Sequence, residues 1–182
     1  MGDRRILTFT GKLIDIFDLK SEDICLADIA HALSTKTRFN GMCMIPYSIA
    51  QHSCLAMDYC KYPLLQSIAL LHDAEEAYVA DVPGPWKKTH PFNEVDEIGV
   101  VIRQKIWTKY IKEYGQIDSS YFDYKWIDKQ LCTAEIRALV KNWQQTTTGN
   151  FLLEINVNII PWSWERSEWE SLKRLDQLGL KD

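Results

Sequence analysis

Apolar residues recur at helical spacing through most of the chain, and clusters of polar and breaker residues cut the pattern into a series of helices. Residues 6 to 18, ILTFTGKLIDIFD, are the exception: β-branched and aromatic residues flank Gly11, which predicts a short β-hairpin. Ser21, Glu22 and Asp23 ahead of ICLADIAHAL predict a capped helix ending near Ser34. The segment STKTRFNGMCMIP has no period and contains Gly41 and Pro46, so it reads as a loop. It feeds a helix over YSIAQHSCLAMDYC, with Ile49, His52, Ala56 and Tyr59 on one face. After Pro63, LLQSIALLHDAEEAYVA reads as one strongly helical stretch, stopped by the DVPGP breaker at 81–85. A helix over 92–113 turns Val95, Ile98, Val101, Ile102 and Ile106 inward, and another over 120–144 aligns Asp128, Leu131, Glu135 and Leu139 in one stripe. A last helix falls between Pro161 and Leu180, its tryptophans expected to pack it onto the bundle rather than to form an interaction surface. The expected fold class is all-α, a helical bundle with a short N-terminal β-hairpin, in one domain over 1–182.

Composition narrows the partners. The hydrophobic share of 46% and charged share of 25% are those of an ordinary globular chain. A net charge of −4 supplies no general attraction to nucleic-acid polymers or anionic membranes, while a small polyanion can still be held by a few local Lys and Arg. The five cysteines include no C-x-x-C pair, which argues against a disulfide framework or thiolate zinc site and for reduced thiols. With no apolar run of membrane-spanning length and no secretory apolar region after Met1, a soluble cytoplasmic protein is expected, in a bacterial or phage-infected cell.

The candidate chemistry lies in LLHDAEEA. A histidine and a carboxylate side by side among apolar residues are expensive to bury unless something uses them. On a continuous helix His72 and Asp73 would point about 100° apart, with Glu76 one turn further on, so that all three border one cleft. Imidazole and carboxylate together suit a divalent cation: Mn, Co, Mg, Zn or Fe. His52 and Asp128, each beside apolar residues on other helices, are candidates for completing the set. Taken singly, His52 also reads as a hydrogen-bonded core histidine and Asp128 as a surface acid; Glu75 and Glu76 also read as solvated charge.

Taken together, DIAHALSTKTRFNG, YSIAQHS, LLHDAEEAYVADVPGPWK and WIDKQLCTAEIRAL resemble the HD-domain phosphohydrolases, in particular their small nucleotidase branch of 5'-deoxynucleotidases and phage dATP triphosphohydrolases. The resemblance implies an HD-type bundle whose metal ligands are His52, His72, Asp73 and Asp128. It implies Glu76 as acid/base residue, Asp81 as its orienting or leaving-group partner, Arg38 as phosphate clamp and Phe39 as the aromatic that packs on the deoxyribose. Lys87 and Lys125 match positions that hold further phosphate oxygens in triphosphatase members. Where relatives often carry a histidine after the Asn-Gly of the loop, this chain reads GMCMIPYS, and His31 is assigned to ordering the loop or core. The implied activity is metal-dependent hydrolysis of a deoxynucleotide, read first as a dATP-like triphosphohydrolase releasing deoxynucleoside and tripolyphosphate. The alternatives are a 5'-deoxynucleotidase on dNMPs and a non-catalytic nucleotide-binding or interaction module. A homo-oligomer is expected.

Overall fold

A computed structural model describes residues 3–112 and 120–182, with side chains at 3–112 and 124–182. The N-terminal residues pair as the expected hairpin, β1 (Ile6–Leu7) against β2 (Leu13–Ile14), with Ile6 opposite Ile14 and Leu7 opposite Leu13. Gly11 takes φ +87° in the turn, where a side chain would be strained. The hairpin is tied to the first helix because Thr10 donates from both N and Oγ1 to Asp28, at 2.7 and 2.9 Å.

Six α-helices follow among the described residues: α1 (Leu26–Thr35), α2 (Ile49–Asp58), α3 (Pro63–Leu70), α4 (Phe92–Tyr110), α5 (Ser120–Leu139) and α6 (Trp164–Gln177). The all-α reading with a short hairpin holds at this level. No helix among the described residues is long and apolar enough to cross a membrane. The core runs through Ile29, Leu33, Ile49, Ile68, Leu71, Ile102, Ile106 and Leu131, and so draws on α1 to α5.

Several boundaries differ from expectation. Ser21 does not cap α1: Ser21–Asp23 form their own 3-10 turn, closed by Lys20 N donating to Asp23 Oδ2, and Ile24 then runs extended into the core before α1 begins at Leu26. The stretch expected as one helix from 64 to 80 breaks after Leu70, where Leu71 and Asp73 leave helical geometry at φ −109° and −107°. The carbonyl of Leu71 accepts from the Trp107 indole N–H of α4 at 2.8 Å, and from Ala74 N at 3.4 Å. α4 ends at Tyr110 rather than 113, which lies outside the described residues, and Val101 is 51% exposed because the buried stripe runs through Gly99, Ile102, Ile106 and Tyr110. α5 stops at Leu139, not 144, and Asn142 then turns left-handed.

The last helix packs through small residues. Ser163 caps α6, and Ser167 and Ser171 let it approach α2, where Ser48 Oγ meets Ser167 Oγ at 2.9 Å. Trp164 and Trp169 therefore face outward, at 48% and 57% exposure, correcting the expectation that they pack the helix down; Trp162 is half-buried against the core. The chain leading to α6 is pinned by one buried side chain. Gln51 Nε2 donates to Ile160 O and its Oε1 accepts from Trp162 N, both at 2.8 Å. Replacing Gln51 with Leu orphans both backbone groups and is expected to destabilise the protein by about 1–3 kcal/mol. Thermal melting reads the loss, with proteolytic nicking of residues 150–163 as its local signature; a variant as stable and as resistant as the parent would refute the anchoring role.

Candidate metal centre

Three chain segments deliver the central side chains. Ser48 starts α2 by accepting from Gln51 N at 3.0 Å, and His52 follows one turn later with no exposed surface. The break after α3 delivers the second pair. Because the chain leaves the helix at Leu71, His72 and Asp73 do not diverge as on a continuous helix: His72 Nε2 lies 3.0 Å from Asp73 Oδ2. α5 supplies Asp128 and, two turns on, Glu135 from the stripe expected in the sequence.

These groups meet. His52 Nε2 is 3.2 Å from His72 Nε2 and 3.1 Å from Asp128 Oδ1, and one ligand atom from each of the three lies within 4.8 Å of the others. His52, His72 and Asp128 thus form one group that could hold a cation, and Asp73 adjoins it through His72.

The donor set suits a divalent cation for a reason visible at the other ring nitrogens. His52 Nδ1 is 2.7 Å from Glu135 Oε1, and His72 Nδ1 is 2.7 Å from Ala69 O. Both are acceptors, an arrangement that places the hydrogen on Nδ1 when a ring is neutral and leaves its Nε2 able to donate a lone pair to a cation. Against burial and the Arg38 charge, Glu135 and Asp128 raise the His52 pKa to about 9, so in the absence of a metal a proton on His52 balances the surrounding carboxylates. Despite burial, His52 and His72 hold Asp128 down at about 2, and His72 and Arg38 hold Asp73 well below the usual carboxylate range.

Glu135 is the member whose role the sequence did not reveal. Fully buried, it accepts from Tyr47 Oη at 2.8 Å and Arg38 Nε at 3.1 Å besides contacting His52, and these partners keep it ionised against burial. Its only sequence signal was its place on the Asp128 stripe. Arg38 also reaches Asp73, Nη1 to Oδ2 at 3.4 Å, so the expected phosphate clamp borders the centre. Phe39 sits at φ +54° with its ring 5.3 Å from the Arg38 guanidinium carbon.

Glu76 is buried beside this cluster in the 3-10 turn Ala74–Ala77. Burial, then the charges of Asp73 and Asp81, push its carboxyl up to about 10, so it holds a proton at neutral pH. Its Oε1 is 3.6 Å from Lys87 Nζ, and its Oε2 has no protein partner. Asp81, half-buried, is raised by its own burial and by Asp73, against the pull of Arg38. Lys125 is exposed on α5 with its ammonium 5.2 Å over Tyr124, whose ring is 5.1 Å from that of His72; this places Lys125 at the rim rather than among the central groups. His31 stacks on Phe9 at 3.7 Å and contacts Glu168, away from the centre.

No family model matches the chain. Over 105 residues it is 40% identical to the uncharacterized protein YfdR of Escherichia coli (strain K12), a stretch that covers 55% of this chain and 57% of that relative. The likeness therefore spans about half the length of each.

Proposed function

We propose that this chain is a metal-dependent phosphohydrolase of the HD type acting on deoxynucleotides, read first as a dATP-like triphosphohydrolase. The observation that carries the reading is the pair of imidazole Nε2 atoms 3.2 Å apart, each ring hydrogen-bonded away from the centre through Nδ1 and flanked by Asp73 and Asp128. His52, His72, Asp73 and Asp128 would hold the cation. When bound, it supplies Lewis acidity toward a phosphoryl oxygen and a water acidified to near neutrality.

The remaining steps belong to the chain's own residues. Hydrolysis at the α-phosphorus forms one P–O bond to water, which gives up a proton to solvent, and breaks the bond to the deoxyribose 5'-oxygen, which takes a proton and leaves as an alcohol. Glu76 stands beside the cluster and its burial favours the protonated form, so it serves as the general acid, with Asp81 orienting it. Arg38, fixed through Nε by Glu135, binds a phosphate oxygen at its Nη edge near Asp73. Phe39 packs on the sugar.

The same bond breaks whether the phosphate released is single or triple. What separates the two substrates is cationic charge for the β- and γ-phosphates, and Lys87 beside Glu76 with Lys125 at the rim favour the triphosphate. Every dNMP and dNTP should be tested against Mn, Co, Mg, Zn and Fe, with products identified: tripolyphosphate from dNTPs is the expected result, and inorganic phosphate from dNMPs selects the nucleotidase instead. Asp73→Ala is expected to lose metal content and turnover together. An Asp73→Ala protein that binds metal and hydrolyses like the parent, or a parent inert to the whole panel, rules the reading out. Lys87→Ala should cut dNTP turnover far more than dNMP turnover.

A further inference from the structure

Lys36 is a partly buried cation to which no role has yet been assigned. It sits just past the C-terminus of α1, its backbone N–H closing onto Ala32 O. Its ammonium donates to three main-chain carbonyls of one neighbouring turn: Glu76 O, through a short bond, Ala77 O at 3.0 Å and Val79 O at 2.8 Å. An ammonium has three protons, and here each has an acceptor. The three carbonyls lie at the end of the 3-10 turn that carries Glu76, where no continuing helix supplies N–H partners. The Glu76 and Asp81 carboxyls lie close enough to act on its charge.

The other side of Lys36 is equally constrained. Its carbonyl accepts from Ile49 N at 3.1 Å at the start of α2, and two residues on, Arg38 N donates to Tyr47 O at 2.8 Å. One side chain therefore bolts the segment bearing Arg38 and Phe39 to the turn bearing Glu76, two segments about forty residues apart in sequence. Across that joint a phosphate held by Arg38 would have to meet the proton on Glu76. A misplacement of about 1 Å at such a contact is enough to cost roughly a hundredfold in rate.

We propose that Lys36 is a positioning residue for the reaction, its ammonium setting the Glu76 turn in register with the Arg38 clamp. The inference rests on the phosphohydrolase reading above. It predicts a split between kinetic constants: Arg38 keeps Glu135 and Tyr47, so substrate binding survives the loss of Lys36, whereas the placement of Glu76 does not.

The test compares Lys36→Met, which keeps the length of the side chain and removes the donors, with Lys36→Arg, which keeps donors and charge. For Lys36→Met, kcat is expected to fall at least tenfold with KM changed less than threefold and metal content that of the parent, and Lys36→Arg is expected to recover most of kcat. Hydrogen exchange supplies a readout independent of turnover: amides 76–81 should exchange faster in Lys36→Met, and those of α2 should not. A Lys36→Met protein with the parent's kcat, or one whose kcat falls only in proportion to lost metal, overturns the positioning role. If the parent hydrolyses no deoxynucleotide, the phosphohydrolase reading fails, and the role of Lys36 in fixing the turn is then decided by exchange alone, unchanged protection counting against it.

Discussion

Glu76→Gln is expected to slow the proposed turnover severely and, at the same time, to make the fold more stable, by a margin that widens from pH 5 to pH 8. In the folded protein Glu76 keeps its proton up to about 10, against 4.5 for the unperturbed group. Between those values the native state binds a proton that the unfolded chain does not, so the stability of the parent falls as pH rises. Below the lower value both states are protonated and the group contributes nothing. Each pH unit inside the window is worth at most about 1.4 kcal/mol, and glutamine, which cannot ionise, removes the slope. At pH 8 a gain of about 2 kcal/mol or more is expected, which in a chain of this size is about 4 to 8 °C in Tm. At pH 5 the gain should nearly vanish. Both melts belong in chelator, so that no added cation shifts the carboxyl. In the proposed reaction the amide cannot deliver the proton that the leaving oxygen needs, and turnover should drop roughly 10²-fold or more. A variant less stable than the parent at pH 8 would show that Glu76 is ionised in the fold, and one turning over within a few-fold of the parent would remove it from the chemistry.

The same residue marks how far local pattern reaches. That a histidine and three acids sit among leucines and alanines signals an unusual site from the sequence alone, since burying such groups needs compensation. Where they point could not be read, because the helix carrying them was expected to continue. It ends at Leu70, the Leu71 carbonyl accepts from Trp107, thirty-six residues later, and His72 and Asp73 lie beside each other past the break. His52 and Asp128 were legible as candidates through their apolar neighbours, and both arrive at the cluster. Tyr47, Lys36 and the role of Glu135 were not, since each acts through partners 40 to 97 residues distant. On the last helix the tryptophan content suggested an inward face, yet the inward residues are Ser167 and Ser171, whose small size permits the close approach to α2. Hydrophobic pattern ranks residues by the gain from burial and is blind to which face a neighbour leaves room for.

Glu135→Ala should be the most destabilising single substitution around the site. The carboxylate has no exposed surface and serves three donors at once: the Arg38 guanidinium, the Tyr47 hydroxyl and His52 Nδ1. Removing it leaves a buried guanidinium without its main counter-charge, a loss of about 3–5 kcal/mol, or about 6 to 20 °C in Tm. The pH dependence has the opposite sign to that of Glu76. The folded pKa of Glu135 is depressed, so its contribution is complete above the unfolded value of 4.5 and is lost as pH falls through the folded one. The gap between parent and variant should therefore be widest near pH 7 and close in acid. On the proposed metal reading, affinity provides a second measure, because Glu135 accepts from His52 Nδ1: alanine there is expected to weaken binding about 10- to 100-fold, while glutamine, whose amide oxygen still accepts from Nδ1, should weaken it less. Adding Arg38→Met to Glu135→Leu removes the stranded charge and should recover much of the stability lost in the single variant, since two apolar groups can replace a buried ion pair at little net cost. If Glu135→Ala melts within about 1 °C of the parent, or the double variant is no more stable than Glu135→Leu alone, Glu135 is not what holds Arg38 and His52 in place.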